Sequence, residues 1–436
     1  MVPSFLRRLS RFSLSWKPLE FSNSSFTRIP ASQKIEEETI PDYITSRYYP
    51  TRIGEDIERR YQVVGKLGYG ATSRSFWVEE LQTTCYTCSR RRYVTLKIFI
   101  TSTSMGQRLD DELRMYKRIE KGSRSHPGHQ AMLGTPTIIG KFVDLSSSQS
   151  STKTTSATFS IGASAVVFGV GLFADNIMFG TADDSIFRDF EEAELQTPSP
   201  RKELDGRIIY LSRELGIPKA LGPPVLCDFG SAIPGDIEHS EYIQPNIYRA
   251  PEVILEAPWT YSVDIWNTGC MIWDIFEGES LFTGHDPEFQ TYRSRAHLSE
   301  MIRLLGPPPP PLLTRGNLRS KFFSAEGMFC FFCFLSCEFC AGIPLLNRVQ
   351  LEERESTFEG EEKLAFLRMV RRMLQWQPED RRSAKELEQD KQFIVCIIPF
   401  HTLFSRSSSN TPPTILIAAA LQHLSMVAHQ GEYLGK

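Results

Sequence analysis

Gly68 and Gly70 stand one residue apart in Leu67-Gly68-Tyr69-Gly70-Ala71-Thr72-Ser73, and residues 61–66 and 75–78 on either side are strand formers. Glycines at that spacing let a backbone approach phosphate oxygens closely, with its N–H groups as donors. A dinucleotide-binding fold needs such glycines to open a helix, so a strand–turn–strand setting argues against it. Ser73 replaces the third glycine of the usual pattern. Taken alone, the segment is better read as an ordinary hairpin turn.

Strand character continues to Ile100, broken by a polar stretch at residues 85–92. In Tyr93-Val94-Thr95-Leu96-Lys97-Ile98-Phe99 one lysine stands among apolar neighbours. Lys97 is therefore either a snorkelling surface residue or a buried cation with a partner. Residues 108–119 have helical spacing, and Glu112 within them is a candidate partner.

Composition removes several function classes. Lys and Arg number 49 against 52 Asp and Glu, a net charge of −3 over 436 residues. That balance leaves no basic excess for direct nucleic-acid binding. No run reaches the ~18 apolar residues of a membrane span. Nine cysteines, an odd number unevenly spread, do not make a secreted disulfide framework.

Residues 1–18 hold Arg7, Arg8, Arg11 and Lys17, four serines and no acid. They fit a mitochondrial-type transit peptide or a basic arm equally. Acids first cluster at Glu36, Glu37 and Glu38, and the fold is expected to begin soon after, so residues 1–42 read as a basic, Ser-rich arm. Residues 146–160 are low in complexity, 11 of 15 being Ser or Thr, and are expected to stay unfolded. Residues 263–276, with Trp266 and Trp273, read as a buried helix, and residues 364–376 as an amphipathic one. The five prolines at 307–311 read as a polyproline connector, and residues 394–436 as a poorly ordered tail.

Further motifs follow in order. Asp228-Phe229-Gly230 ends the apolar run Val225-Leu226-Cys227, and an aspartate there suits a divalent metal bridging phosphates. Ala250-Pro251-Glu252 comes about twenty residues later, then Asp264-Ile265-Trp266, Gly269 and, far downstream, Arg381.

In that order the chain resembles a eukaryotic protein kinase. The specific resemblance is to serine/arginine-rich protein kinases in their fungal form. It is carried by Tyr49-Pro50-Thr51-Arg52-Ile53-Gly54, by Ile243-Gln244 with Ile247-Tyr248-Arg249-Ala250-Pro251-Glu252, and by Ser262-Val263-Asp264-Ile265-Trp266. The resemblance implies an α+β, bilobal kinase-like fold over residues 43–393, a small β-rich lobe and a larger helical one. It implies ATP and Mg²⁺ as cofactors. Leu67, Gly68, Gly70 and Ser73 would cover the nucleotide, Lys97 would hold its phosphates, Glu112 would orient Lys97, and Asn176 and Asp228 would bind the metal. Glu252 would pair with Arg381, and Asp264 would serve structure. An Arg/Ser-rich protein, such as a splicing factor, would be the substrate or partner. The chain would act as a monomer in cytoplasm and nucleus.

The pattern breaks at the catalytic loop. Ala174-Asp175-Asn176-Ile177-Met178-Phe179 matches its end, but Gly171 stands where a carboxylate accepts the substrate's proton. Phe173 stands where a lysine neutralises the transferring phosphate. Neither can do this chemistry, so no catalytic base is intact. Only 63 residues separate Glu112 from Asn176, too few for the family's lobe junction, which is disrupted at about 130–173. Three readings stay open: an impaired kinase, a pseudokinase that binds nucleotide or an Arg-rich partner, and faulty exon joining in a gene prediction.

A second disruption spans residues 328–340, where Cys333, Cys337 and Cys340 have the CxxxCxxC spacing of an iron–sulfur site. No (βα) barrel pattern surrounds them, and an inserted segment is the better account. Between Asn176 and Asp228, Asp183, Asp184, Asp189, Glu191, Glu192 and Glu194 precede residues 198–214. These acids read as a solvated loop, or as a means of steering cationic substrates.

Overall fold

The structure is a computed structural model that describes residues 14–41, 43–57, 59–70, 73–83, 92–99, 177–181, 185–216, 221–226, 233, 235, 237–324 and 339–388. Cα packing divides the chain into two units. Described residues up to Phe99 and those within 181–222 form the first; residues 177–180 and those beyond 222 form the second.

Strand β1 (Leu14–Ser15) pairs antiparallel with β5 (Gln82–Thr83). The main sheet of the first unit runs β2 (Asp56–Ile57), β3 (Tyr61–Tyr69), β4 (Ser73–Glu80) and β6 (Arg92–Phe99), all antiparallel neighbours. Side chains alternate across a strand. On β6, Val94, Leu96 and Ile98 are buried while Tyr93, Thr95 and Lys97 are half-buried. The first three join Tyr61, Val63, Phe76 and Val78 in one core cluster.

The other face of the sheet is covered by the segment expected as a solvated acidic loop. Helix α1 (Ser185–Gln196) lies there, followed by the hairpin β8 (Arg201–Leu204) and β9 (Arg207–Tyr210). Phe187, Phe190 and Glu194 are spaced for one helical face. Phe190 is buried against Val64, with Leu67, Tyr93 and Phe187 around it. A Cβ at Gly65 would fall 2.7 Å from the Phe190 ring, so the helix sits this close only because β3 has glycine there.

Two of the four acids of α1 serve packing. Glu194 accepts hydrogen bonds from the Ser199 amide at 2.9 Å, the Ser199 hydroxyl at 2.7 Å and Arg213 Nε at 2.8 Å. Glu191 accepts one from the Tyr93 hydroxyl at 2.8 Å. Only Asp189 and Glu192 stay exposed, and Asp183 and Asp184 lie outside the described residues. The sequence reading weighed charge and passed over the apolar spacing between the charges.

Engagement also starts earlier than the expected boundary after Glu38. The Leu19 amide donates to Gln62 Oε1 at 2.7 Å, and Gln62 Nε2 donates back to the Leu19 carbonyl at 2.9 Å. Asn23 Nδ2 donates to the carbonyls of Leu195 and Gln196 at the end of α1, whose orphan acceptors it satisfies.

Strand β7 (Ile177–Thr181) pairs with β10 (Leu221–Leu226), and residues 177–180 and 223–226 of the pair belong to the second unit. Helix α2 (Pro251–Ile254) leads to α3 (Ser262–Glu277), buried from Val263 to Trp273 as its apolar run requires. Around α3 pack Trp259, Phe282, Phe366 and Met373. A Cβ at Gly269 would approach Leu374 Cδ2 to 2.9 Å, so this glycine allows α3 to meet the end of α6 (Gly360–Met373). Helix α6 begins before the expected residue 364 because Glu361 and Glu362 suit the positive end of a helix.

Helix α4 (Ser294–Leu305) precedes the proline run, and the expected connector is half helix: α5 (Pro310–Arg315) starts on two of its prolines. Proline lacks an N–H and has φ preset near −65°, which suits a first helical turn. No helix among the described residues is long and apolar enough to cross a membrane.

Candidate nucleotide-binding hairpin

Strands β3 and β4 form the hairpin that carries the glycines. Leu67 and Gly68 lie within β3, Gly70 follows it, and Ser73 opens β4. Gly68 is the cross-strand partner of Ser75, and Ser75 is the partner of Lys97 on β6. Directly paired residues project to one face of a sheet. The register thus sets Lys97 two strands from Gly68 on that face, roughly 10 Å away at the usual strand spacing. A Cβ placed at Gly68 would meet nothing within 4 Å, so the backbone there is open to a ligand. An open glycine strand with a cation in the same row fits the phosphates of a nucleotide.

The turn end of the hairpin is held by charges that sequence reasoning passed over. Lys66 and Arg74 are buried, and so is Glu37, which lies in a 3-10 turn (Glu36–Thr39) of the N-terminal segment. Lys66 Nζ donates to Glu37 Oε2 at 2.5 Å and to the Tyr210 carbonyl at 3.1 Å. Arg74 donates to Glu37 Oε1 at 3.2 Å and to the Tyr49 carbonyl. Burial pushes the Arg74 guanidinium below its ordinary value, and the Glu37 charge opposes that shift. A signal existed: Lys66 sits in Val63-Val64-Gly65-Lys66-Leu67, the same lysine-among-apolars pattern that singled out Lys97.

In the second unit the expected brace is present. Arg381 Nη1 and Nη2 donate to Glu252 Oε1 and Oε2 at 2.6 and 2.7 Å, with both side chains fully buried. Arg381 also donates to the carbonyls of Ser262 and Gln375 at 3.0 Å each, and its guanidinium lies 5.2 Å from the Trp266 ring. The fork thus joins α2 to the start of α3. Asp264 is buried in the first turn of α3, where its carbonyl accepts from Thr268 Oγ1 at 2.7 Å.

Glu112, Gly171, Phe173, Asn176 and Asp228 lie outside the described residues, as do Cys333 and Cys337. Cys340 is an exposed free thiol. Among the described residues no cluster of His, Cys, Asp and Glu is arranged to hold a metal.

A glycine hairpin with a lysine in register, and a helical unit braced by a buried Arg–Glu fork, are features that the α+β kinase-like fold implied by the resemblance would have. Comparison with known proteins supplies the family. Residues 222–393 match the protein kinase domain model. A serine/threonine protein kinase of Aspergillus fumigatus is 34% identical over 415 residues, 89% of this chain and 98% of that protein. Serine/threonine-protein kinase SKY1 of Saccharomyces cerevisiae is 34% identical over 118 residues, 27% of this chain and 16% of that protein. Dual specificity protein kinase CLK2 of Homo sapiens is 31% identical over 168 residues, 38% of this chain and 31% of that protein. This chain belongs to the protein kinase family.

Proposed function

We propose that this protein binds ATP with Mg²⁺ at the β3–β4 hairpin and engages an Arg/Ser-rich protein, with phosphoryl transfer to serine weak or absent. The row Gly68–Ser75–Lys97 is the observation that carries the reading. Gly68 and Gly70 would offer backbone amides to the phosphates, and Lys97 would neutralise them. By the resemblance, Glu112 would orient Lys97, and Asn176 and Asp228 would hold the metal. Bound ATP supplies the transferable γ-phosphoryl group. Impairment rests on Gly171 and Phe173, which offer neither a proton acceptor nor a cation.

Substrate class rests on the resemblance of residues 49–54, 243–252 and 262–266 to serine/arginine-rich protein kinases. We assign the protein to cytoplasm and nucleus, as a monomer.

An Arg/Ser peptide assayed with Mg-ATP tests the reading. The expected result is thermal stabilisation by Mg-ATP with little or no peptide phosphorylation. Robust turnover abolished by Asp228→Ala would remove the impairment and leave an active kinase. Transcript sequence across the codons for residues 126–176 tests the gene-prediction alternative: a His-x-Asp-x-Lys loop recovered there restores full activity to the assignment.

A further inference from the structure

Glu37 divides its carboxylate between the two strands of the glycine hairpin. Oε2 accepts from Lys66 on β3, one residue before Leu67-Gly68, and Oε1 accepts from Arg74 on β4. Arg74 is the cross-strand partner of Tyr69. Glu37 and Lys66 are both 0% exposed, so water does not share these bonds. Lys66 Nζ also lies 5.3 Å from the centre of the Tyr69 ring, inside the Gly68-Tyr69-Gly70 segment itself.

The acids on either side hold Glu37 in place. Glu36 accepts from the Ser212 amide at 2.9 Å and from its hydroxyl at 2.7 Å. Glu38 accepts from Lys202 Nζ at 2.8 Å and from the Ile35 amide at 3.0 Å. The 3-10 turn is therefore pinned to the segments around β8 and β9, and its middle acid reaches into the hairpin. A buried cation must stay with its counter-charge, so each strand is anchored where Glu37 is held.

We propose that Glu37 is a positioning residue for the phosphate-binding hairpin. By tying Lys66 to Arg74 it fixes the spacing of β3 and β4 next to Gly68 and Gly70. Nucleotide affinity then depends on a side chain from the N-terminal segment that never touches the nucleotide. The inference rests on the nucleotide-binding reading for its affinity readout, but not for its conformational one.

The test uses the full chain carrying Glu37→Gln, which keeps the shape and removes the charge. A fluorescent Mg-ATP analogue measures affinity, and hydrogen exchange measures opening at the amides of Gly68, Tyr69 and Gly70. The expected result is affinity weakened about tenfold and hairpin exchange faster by about the same factor. Glu37→Gln combined with Lys66→Met removes one of the two buried cations that lose the Glu37 charge. Its melting temperature is expected to recover in part, Arg74 being still without the Glu37 charge, while affinity and exchange stay impaired, because the tie between the strands is still missing. Recovery of all three together would make Glu37 a stability residue only and overturn the proposal, as would unchanged affinity and exchange in Glu37→Gln. If that single variant does not fold, the double variant supplies both readouts. If the unmutated chain binds no analogue, the nucleotide reading fails, and exchange at Gly68–Gly70 alone decides the role of Glu37.

Discussion

Two buried carboxylates organise the two units, and they do so differently. Glu252 meets a single guanidinium whose planar fork matches both of its oxygens. Glu37 spreads its oxygens over two cations on two strands, and Lys66 has a second acid, Glu36, at 3.3 Å. The first arrangement is a closed pair that locks helices together. The second is a bridge whose ends lie on a hairpin read here as ligand-binding, so its loss is felt as changed shape as well as lost stability.

The sharpest way to break the comparison is to remove one cation from each site. Arg381→Ala leaves Glu252 buried without a counter-charge, a loss of about 3–5 kcal/mol. Chemical denaturation followed by tryptophan fluorescence should show it, since Trp259, Trp266 and Trp273 all lie in that core. Arg74→Ala should cost less, because Lys66 still neutralises Glu37. Equal losses would show that the two sites work alike.

Packing gives the next largest effect. Gly65→Ala drives a methyl into Phe190 and should cost about 1–3 kcal/mol, the usual price of overpacking. Circular dichroism melts would register it, and the paired change Gly65→Ala with Phe190→Leu should recover part of the loss.

Acid should distinguish the units further. Burial, with Arg249 nearby, pushes the His297 imidazole down to about 3. Around it stand the Tyr292 hydroxyl at 3.1 Å, the Phe282 ring and Arg249. The unfolded chain, with a histidine value of about 6.5, binds more protons throughout that window. Stability of the second unit therefore falls as pH drops below about 6.5, by up to about 1.4 kcal/mol per pH unit. Urea midpoints measured across the window check this, and His297→Gln should flatten the dependence.

Smallest is the contact of α1 with the sheet edge. Tyr93→Phe deletes the hydrogen bond to Glu191 and should cost about 1 kcal/mol in a denaturation midpoint. No change there would mean that Phe187 and Phe190 alone hold the helix.

What was legible in the sequence divides along the same line as the two carboxylates. Arg381 and Glu252 were identifiable because they belong to a motif order shared across a family, although 129 residues separate them. The strands that carry Gly68 and Lys97 were legible from patterning, whereas the register that sets the two in one row came only with the paired strands. Glu37, Lys66 and Arg74 were missed because their partners come from segments outside that order, and a run of three acids looks the same solvated or buried. Helix α1 was missed for a related reason: its buried stripe is only a few residues wide. Charge within a short segment does not reveal which acids face protein until the surface they meet is known.

The placement of α1, β8 and β9 has a consequence for synthesis. Lys66 receives a hydrogen bond from the Arg213 amide on its own carbonyl and gives one to Tyr210. The β3–β4 hairpin leaves the ribosome long before either residue exists. At about 5–20 residues per second, the interval from Arg74 to Arg213 lasts roughly 7–28 s. During that time the nascent sheet presents Gly65, Val64 and the Lys66 charge with their cover still unmade. Glu36 and Glu37, both translated earlier, are the counter-charges of Lys66 already available until the rest arrives.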